Sequence, residues 1–358
     1  MFVGGEFYTD QAWLGEAPAR SAGDKNIYFL NGGRACLTVI SDFLRQHGIG
    51  KVLLPSYLCP SIVQTFQRSA IAWDFYQVNQ DLSIDLADLA RKSTQFQAVY
   101  FINYFGFFHN TETQNFFKTL QQNGILVIED NAQAGFPDHP AGDFVFNSIR
   151  KLAPYDGGYL ITPHAMQPYI DQYAGLPNRR LPLIRQYREK LARYLFDQAG
   201  SYEELVDLFQ RATDYYETDL VILGDPGEFE QIERLDWPGI KQIRRDNFRY
   251  LMHWVAAIPE ITPIFPSLQD DAMPFGLPVY FTSEEVSDRV YAELGKAGIG
   301  LTIHWDDIGS DARTNQNPLA VDMAGRMLTL AIDQRIRHKQ LDYMALNLIS
   351  GITAAKRL

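Results

Sequence analysis

The chain has 358 residues, a formal net charge of −11 and 46% hydrophobic residues. That length suits two domains better than one core, the acidic balance lacks the basic footprint nucleic-acid binding needs, and two cysteines, Cys36 and Cys59, are too few for a disulfide scaffold. The longest apolar run, residues 98–108, is about half a membrane span and is interrupted by Asn103, and the opening MFVGGEFYTD has neither a basic start nor an apolar core. A soluble, cytoplasmic protein is the expectation.

Residues 1–26 read as an irregular arm. A short strand, Ile27 to Leu30, ends at Asn31-Gly32-Gly33, and a helix follows with Leu37, Ile40, Phe43 and Leu44 on one face and Gly48 as its stop. A glycine pair that opens a helix leaves backbone N–H groups free to hold an anion. Val52 to Leu54 is the next strand, closed by Pro55; a helix over 61–67 leads to a strand over 73–78. Ala98 to Tyr104 is nearly all apolar, as in a strand covered by helices on both faces. It runs into Phe105 and Gly106, where glycine lets the backbone turn close to a ligand.

A helix over 113–123 precedes the strand that ends in Glu129 and Asp130, with Gln133 three residues on. Side chains alternate along a strand, so only one of the two acids can face a given site. A further strand, Phe144 to Phe146, runs into Asn147, Ser148, Ile149, Arg150 and Lys151, and the pair Gly157-Gly158 opens the strand at 159–161. Strands alternating with helices predict an α/β sheet wound with crossovers, and ligands of such sheets bind outside the carboxyl ends of the strands. Neither a GxGxxG nor a P-loop pattern is present.

The second half changes character. Residues 181–217 read as helical, and a long helix over 237–258 should link two domains. The remainder reads as a smaller α+β domain, with strands at 277–281, 301–305 and 327–331 and helices at 284–297 and 340–349. The expected division is an arm at 1–26, a large domain at 27–240 and a small domain at 241–358. The acidic total does not exclude a phosphorylated substrate, because local arginines decide that: the pairs Arg179-Arg180 and Arg244-Arg245 are candidate local positives, although such pairs more often read as solvated surface.

A lysine just beyond one strand, with a carboxylate at the end of its neighbour, is what a pyridoxal phosphate (PLP) site needs. The amine makes the covalent link to the cofactor's aldehyde, and the acid keeps the pyridine nitrogen protonated. The run IEDNAQA at 128–134, the S-x-x-K at 148–151 and the Gly-Gly pair resemble the DegT/DnrJ/StrS kind of PLP-dependent sugar aminotransferase. The resemblance covers nearly the whole chain, from Gly32 to the LTLAIDQR run that ends at Arg335. It implies the fold type I architecture of aspartate aminotransferase: a large domain with a mostly parallel central sheet flanked by helices, plus a smaller α+β domain.

Carried over position by position, the resemblance implies that Asp130 faces the ring nitrogen and that Gln133 lies near the phenolic oxygen. Lys151 carries the cofactor and shuttles the proton. The phosphate falls to Gly33, Arg34, Ala35 and Ser148, with Asn147 as the alternative donor because S-x-x-K is shorter than the commoner spacing. Arg34 stands where the family has a small hydroxyl residue. Cys59 stands where many members place an aromatic ring over the cofactor, and Tyr57 is the nearest aromatic that could stack instead. Tyr104, His304 of the IHWDD run and Arg335 are substrate-side candidates, although His304 also reads as a packed histidine and Arg335 as a partner of Asp333. Asn178 and Arg179 are the nearest match to the family's Asn-x-Arg helix start, which reaches the partner subunit's site.

The implied activity is transfer of an amino group from glutamate to a nucleotide-linked keto-sugar, in polysaccharide or related sugar biosynthesis, by a homodimer without a metal. The alternatives are other PLP chemistry on the same fold, or a non-catalytic binding or regulatory homologue. Deoxysugar dehydratases of this family lack the lysine, so Lys151 favours transamination.

Overall fold

The computed structural model describes residues 1–9, 13, 15, 25–305, 307–308 and 317–355. In chain order its first half runs β1 (Val3–Gly4), β2 (Asn26–Leu30), α1 (Gly33–Gln46), β3 (Lys51–Pro55), α2 (Pro60–Arg68), β4 (Ala72–Tyr76), α3 (Leu86–Ser93), β5 (Ala98–Ile102), α4 (Thr111–Gln122), β6 (Leu126–Asn131), β7 (Phe144–Asn147) and β8 (Gly158–Thr162). The second half runs α5 (Gln167–Asp171), α6 (Arg180–Phe196), α7 (Tyr202–Thr218), α8 (Pro226–Glu233), α9 (Trp237–Val255), β9 (Ile261–Pro263), β10 (Leu277–Phe281), α10 (Glu284–Lys296), β11 (Ile299–Gly300), α11 (Pro318–Arg326), β12 (Met327–Leu330) and α12 (His338–Ala355).

Seven strands form one sheet in the order β2-β8-β7-β6-β5-β3-β4. Neighbours from β4 to β7 run parallel, and β8 lies antiparallel to both β7 and β2. Every residue of β5, AVYFI, is buried, as its unbroken apolar run requires of a strand with helices on both faces. The register sets Ile102 beside Asp130, Asp130 beside Phe146, and Asn131 beside Asn147. The last residues of β5, β6 and β7 therefore emerge along a single edge, where ligands of parallel sheets bind.

After the long helix α9 comes a second sheet, β12-β10-β9, fully antiparallel. Helix α12 packs on both α9 and α10. No described helix is long and apolar enough to cross a membrane.

Several expectations change. Residues 301–305 do not form a strand. Only Ile299 and Gly300 pair, with Val3 and Gly4, and Thr302 makes a single bridge to Thr329. The chain leaves the ladder there and carries Thr302 to Trp305 to the wall of a cavity. Asp306 of the same run, like residues 10–12, 14 and 16–24 of the arm, lies outside the described residues. The start of the arm is not irregular, since β1 is a strand and Phe7 is buried.

Gly106 does not turn the backbone toward a ligand. Its φ is +86°, and a Cβ there would stand 2.1 Å from the Met273 carbonyl oxygen, so the glycine admits a neighbouring loop. Arg244 and Arg245 are buried rather than solvated. Arg244 donates to the carbonyls of Leu152, Pro274 and Phe275 and to Gln334 Oε1, which satisfies a guanidinium within the protein.

Candidate active site

A cavity of about 350 Å³ opens at the carboxyl edge of the large sheet. Of the side chains singled out from the sequence, Gly33, Arg34, Cys59, Asp130, Gln133, Ser148, Lys151 and His304 line it together. Ala35, Tyr57, Tyr104, Asn147 and Arg335 do not.

Strand alternation separates the two acids. Glu129 turns to the opposite face of β6, where Asn103, Asn131 and the N–H groups of Ala141 and Gly142 saturate its carboxylate. Asp130 lines the cavity and is 5% exposed. Its Oδ1 accepts the Ala132 N–H at 2.7 Å, and its Oδ2 accepts the Tyr100 hydroxyl. Burial holds its carboxyl above the usual carboxylate range, against the opposing pull of Lys151 and Tyr100. A buried carboxylate in that position is stabilised by a cation close to its oxygens.

Gln133 is 2% exposed. Its Oε1 accepts the Phe105 N–H at 2.9 Å, which fixes the amide, while its Nε2 is buried and has no hydrogen-bond partner among the described residues. Buried donors are seldom left unpaired, so a ligand acceptor is the natural complement.

Lys151 closes a single helical turn, residues 149–151, just after β7, and no hydrogen bond or ion pair of its Nζ falls among the described residues. The loop is held by Ile149 N–H to Gly157 O at 2.8 Å. A Cβ on Gly158 would stand 2.4 Å from the Asn147 carbonyl oxygen and 2.9 Å from Gly32 Cα. The glycine therefore lets β8 pack against both the lysine loop and the start of α1. Helix α1 opens at Gly33 with no side-chain cap, unlike α3, α4 and α7 to α11, which Asp85, Asn110, Ser201, Asp225, Asp236, Ser283 and Asn317 cap. Ser148 Oγ lies beside this uncapped end, 3.5 Å from where a Cβ on Gly32 would stand.

His304 is 3% exposed, with Nδ1 2.9 Å from Thr329 Oγ1 and its ring edge-on to Phe105 and Phe275. Burial, and then Lys151, push its pKa down to about 3, so the ring is neutral at physiological pH.

Tyr57 does not face the cavity. It is fully buried behind Trp305, and its hydroxyl donates to the His304 carbonyl. The rings that do line the cavity include Tyr100, Phe146, Tyr216, Phe275 and Trp305. Cys59 reaches the wall, with Sγ 3.0 Å from Ser61 Oγ. Cys36 is buried, and burial raises its thiol pKa. Tyr104 spends its hydroxyl on the Tyr57 carbonyl. Asn147 is occupied by the Gly135 carbonyl and the Tyr159 N–H, so it is no free donor. Arg335 pairs with Asp333 at 2.8 Å and donates to the carbonyls of Gly5 and Glu6, holding the N-terminal segment against the small sheet. Arg34 turns its guanidinium to Glu217 and the Tyr216 carbonyl.

The α6–α7 hairpin buries Arg180, one of the pair that reads more often as solvated surface, and adds Arg188 and Tyr216, which the sequence reading missed. Arg179 is exposed and pairs with Asp219, and Asn178 holds the start of α6, but Arg180 and Arg188 enter the cavity wall with Tyr216. A signal existed, because Arg180 and Arg188 share the face of α6 that buries Ile184 and Leu191. Tyr100, the partner of Asp130, sat unmarked inside an apolar strand.

No protein-family profile and no curated protein matches this sequence. Solved structures do. The aminotransferase TlmJ from Streptoalloteichus hindustanus aligns with a TM-score of 0.64 at 16% identity, over 92% of this chain and 86% of that one. The Helicobacter pylori aminotransferase PseC, involved in the biosynthesis of pseudoaminic acid, aligns with a TM-score of 0.66 at 12% identity, over 92% and 87%. The fold is that of these aminotransferases. The same aminotransferase fold carries an Escherichia coli GDP-4-keto-6-deoxy-D-mannose-3-dehydratase with bound hydrated PLP, at a TM-score of 0.64 and 15% identity over 90% of this chain and 87% of that one. It provides the large, mostly parallel sheet flanked by helices that the sequence leads one to expect, followed in the chain by a smaller antiparallel sheet.

Proposed function

We propose that this chain is a PLP-dependent aminotransferase acting on sugars. The observation that carries the reading is convergence: the amine of Lys151, unpaired among the described residues, the buried acid of Asp130 and the unpartnered Nε2 of Gln133 line one cavity. Each supplies a partner the cofactor lacks, so the residues fit the group. Asp130 would hold a protonated ring nitrogen, which answers its need for a cation. Gln133 Nε2 would donate to the phenolic oxygen. The uncapped start of α1 and Ser148 Oγ would take the phosphate. PLP, when bound, supplies an electron sink for charge left at a substrate carbon.

The chain's own residues do the rest. Lys151 Nζ takes and returns the proton at that carbon. Neutral His304 and the rings of Phe275 and Trp305 exclude water without adding charge. Tyr100 and the Ala132 N–H keep Asp130 oriented. As part of the same proposal, glutamate is the amino donor, a nucleotide-linked keto-sugar the acceptor, and the protein acts in the cytoplasm as a homodimer in sugar or polysaccharide biosynthesis; these finer assignments follow the sequence resemblance.

The test is spectral and chemical. Purified protein given PLP should develop a visible absorbance band, and borohydride should then fix the cofactor's mass on Lys151. Lys151→Ala should lose both signals. A wild-type protein that stays colourless in added PLP overturns the proposal. Release of 2-oxoglutarate from glutamate would separate transamination from dehydration.

A further inference from the structure

One wall of the cavity is cationic, although the chain as a whole carries −11. Arg180 and Arg188 lie about two turns apart on α6 and are 7% and 2% exposed. Both pair with a single carboxylate, Asp156, in the loop between Lys151 and β8. Arg150 donates to Tyr216 Oη at 2.8 Å, and its guanidinium lies 4.2 Å from the centre of that ring. Arg34 lies 4.2 Å and Arg180 5.3 Å from the same centre. Arg34 is satisfied by Glu217, but among the described residues Arg188 keeps Nε and Nη1 buried without hydrogen-bond partners.

Asp156 is the acid in ion-pair contact with both buried guanidiniums. Glu6 on the cavity wall also favours the charged form of both, and Glu228 that of Arg188, yet a third guanidinium lies beside them and N–H groups of Arg188 are left over. A buried cation costs free energy unless it is paired and hydrogen-bonded. Guanidinium N–H groups in a fixed fork match the oxygens of carboxylates and phosphates. The helix start and Ser148 already offer one anion position in this cavity, so the arginine wall is a separate one.

We infer that Arg150, Arg180 and Arg188, with the Tyr216 hydroxyl, form a second anion subsite that binds a phosphate or carboxylate group of the substrate. The α6–α7 hairpin supplies it from the same chain. The inference rests on the proposed function only in giving the cofactor's own phosphate to α1 and Ser148.

The experiment is calorimetric titration in phosphate-free buffer, with inorganic phosphate and with glutarate as probes, on PLP-loaded and PLP-free protein. In the loaded protein at least one probe should bind, and Arg188→Met should weaken it about tenfold or more, as loss of charge-assisted hydrogen bonds does. Arg150→Met, which leaves Asp156 paired, should do the same and serves if Arg188→Met fails to fold. Tighter phosphate assigns the subsite to a phosphorylated substrate, and tighter glutarate to a dicarboxylate donor. Anion binding that vanishes on PLP loading would mean that the arginines serve the cofactor's phosphate, and would overturn the inference. So would affinities unchanged in both variants, or no binding of either probe. If the protein takes no PLP yet binds phosphate through these arginines, the subsite stands and the proposed function fails.

Discussion

Tyr100 on β5 donates its hydroxyl hydrogen to Oδ2 of Asp130 on the adjacent strand β6. The parallel register sets Tyr100 opposite Ile128, two residues before the acid, so both side chains point to the same face of the sheet. With the Ala132 N–H on Oδ1, both oxygens are held and the acid has one orientation.

Tyr100→Phe removes that donor. Burial already raises the carboxyl pKa, and the variant should raise it further, so less carboxylate is present to hold a ring nitrogen. The dissociation constant for PLP, read from its visible band, should rise about tenfold. Urea unfolding should show a loss of about 1.5–3 kcal/mol, the usual contribution of a hydrogen bond to a charged group.

Gln133→Glu keeps an oxygen for the Phe105 N–H but replaces the unpartnered Nε2 with an acceptor. PLP affinity should fall by more than about tenfold at pH 8, the cost of facing two acceptors at each other. It should partly recover as the pH falls, because the introduced carboxyl then regains a proton to donate. Affinity independent of pH would remove Gln133 from the phenolic oxygen.

Arg244→Met leaves the carbonyls of Leu152, Pro274 and Phe275 without their guanidinium donor, although Gln334 Nε2 still reaches Leu152 O at 2.8 Å. Chemical unfolding should show a loss of about 2–4 kcal/mol. Leu152 follows Lys151 directly, so PLP affinity should fall with stability. Burial holds the Arg244 pKa down at about 10, and it remains charged at neutral pH.

His304 gives a pH signature. Its folded pKa is depressed to about 3 from an ordinary 6.5, so below 6.5 the unfolded chain takes up a proton that the folded protein refuses. Stability from this group is complete above 6.5 and is lost as the pH falls toward 3. By pH 5 the loss should reach about 2 kcal/mol. His304→Phe should flatten the slope of unfolding free energy between pH 6.5 and 5 by that amount; equal slopes would mean that the ring is not buried in solution.

Sequence determined much of the frame here, because its information is local. The buried run of β5, the carboxylates ending β6, the lysine just past β7 and the Gly-Gly pair before β8 each follow from spacing and periodicity within a few residues. Strand alternation limited the site to one of two neighbouring acids, and the pleat sets Asp130 toward the cavity and Glu129 away from it. Only tertiary structure decided which polar groups are spent and which are left over. Asn147, Tyr104, Tyr57 and Arg335 carry suitable chemistry, but partners distant in the chain occupy them. Arg180 and Arg188 resemble surface residues until the α6–α7 hairpin folds over the sheet edge and buries them beside Asp156. A charged group's role depends on the groups it meets across long sequence separations, and packing alone makes those meetings.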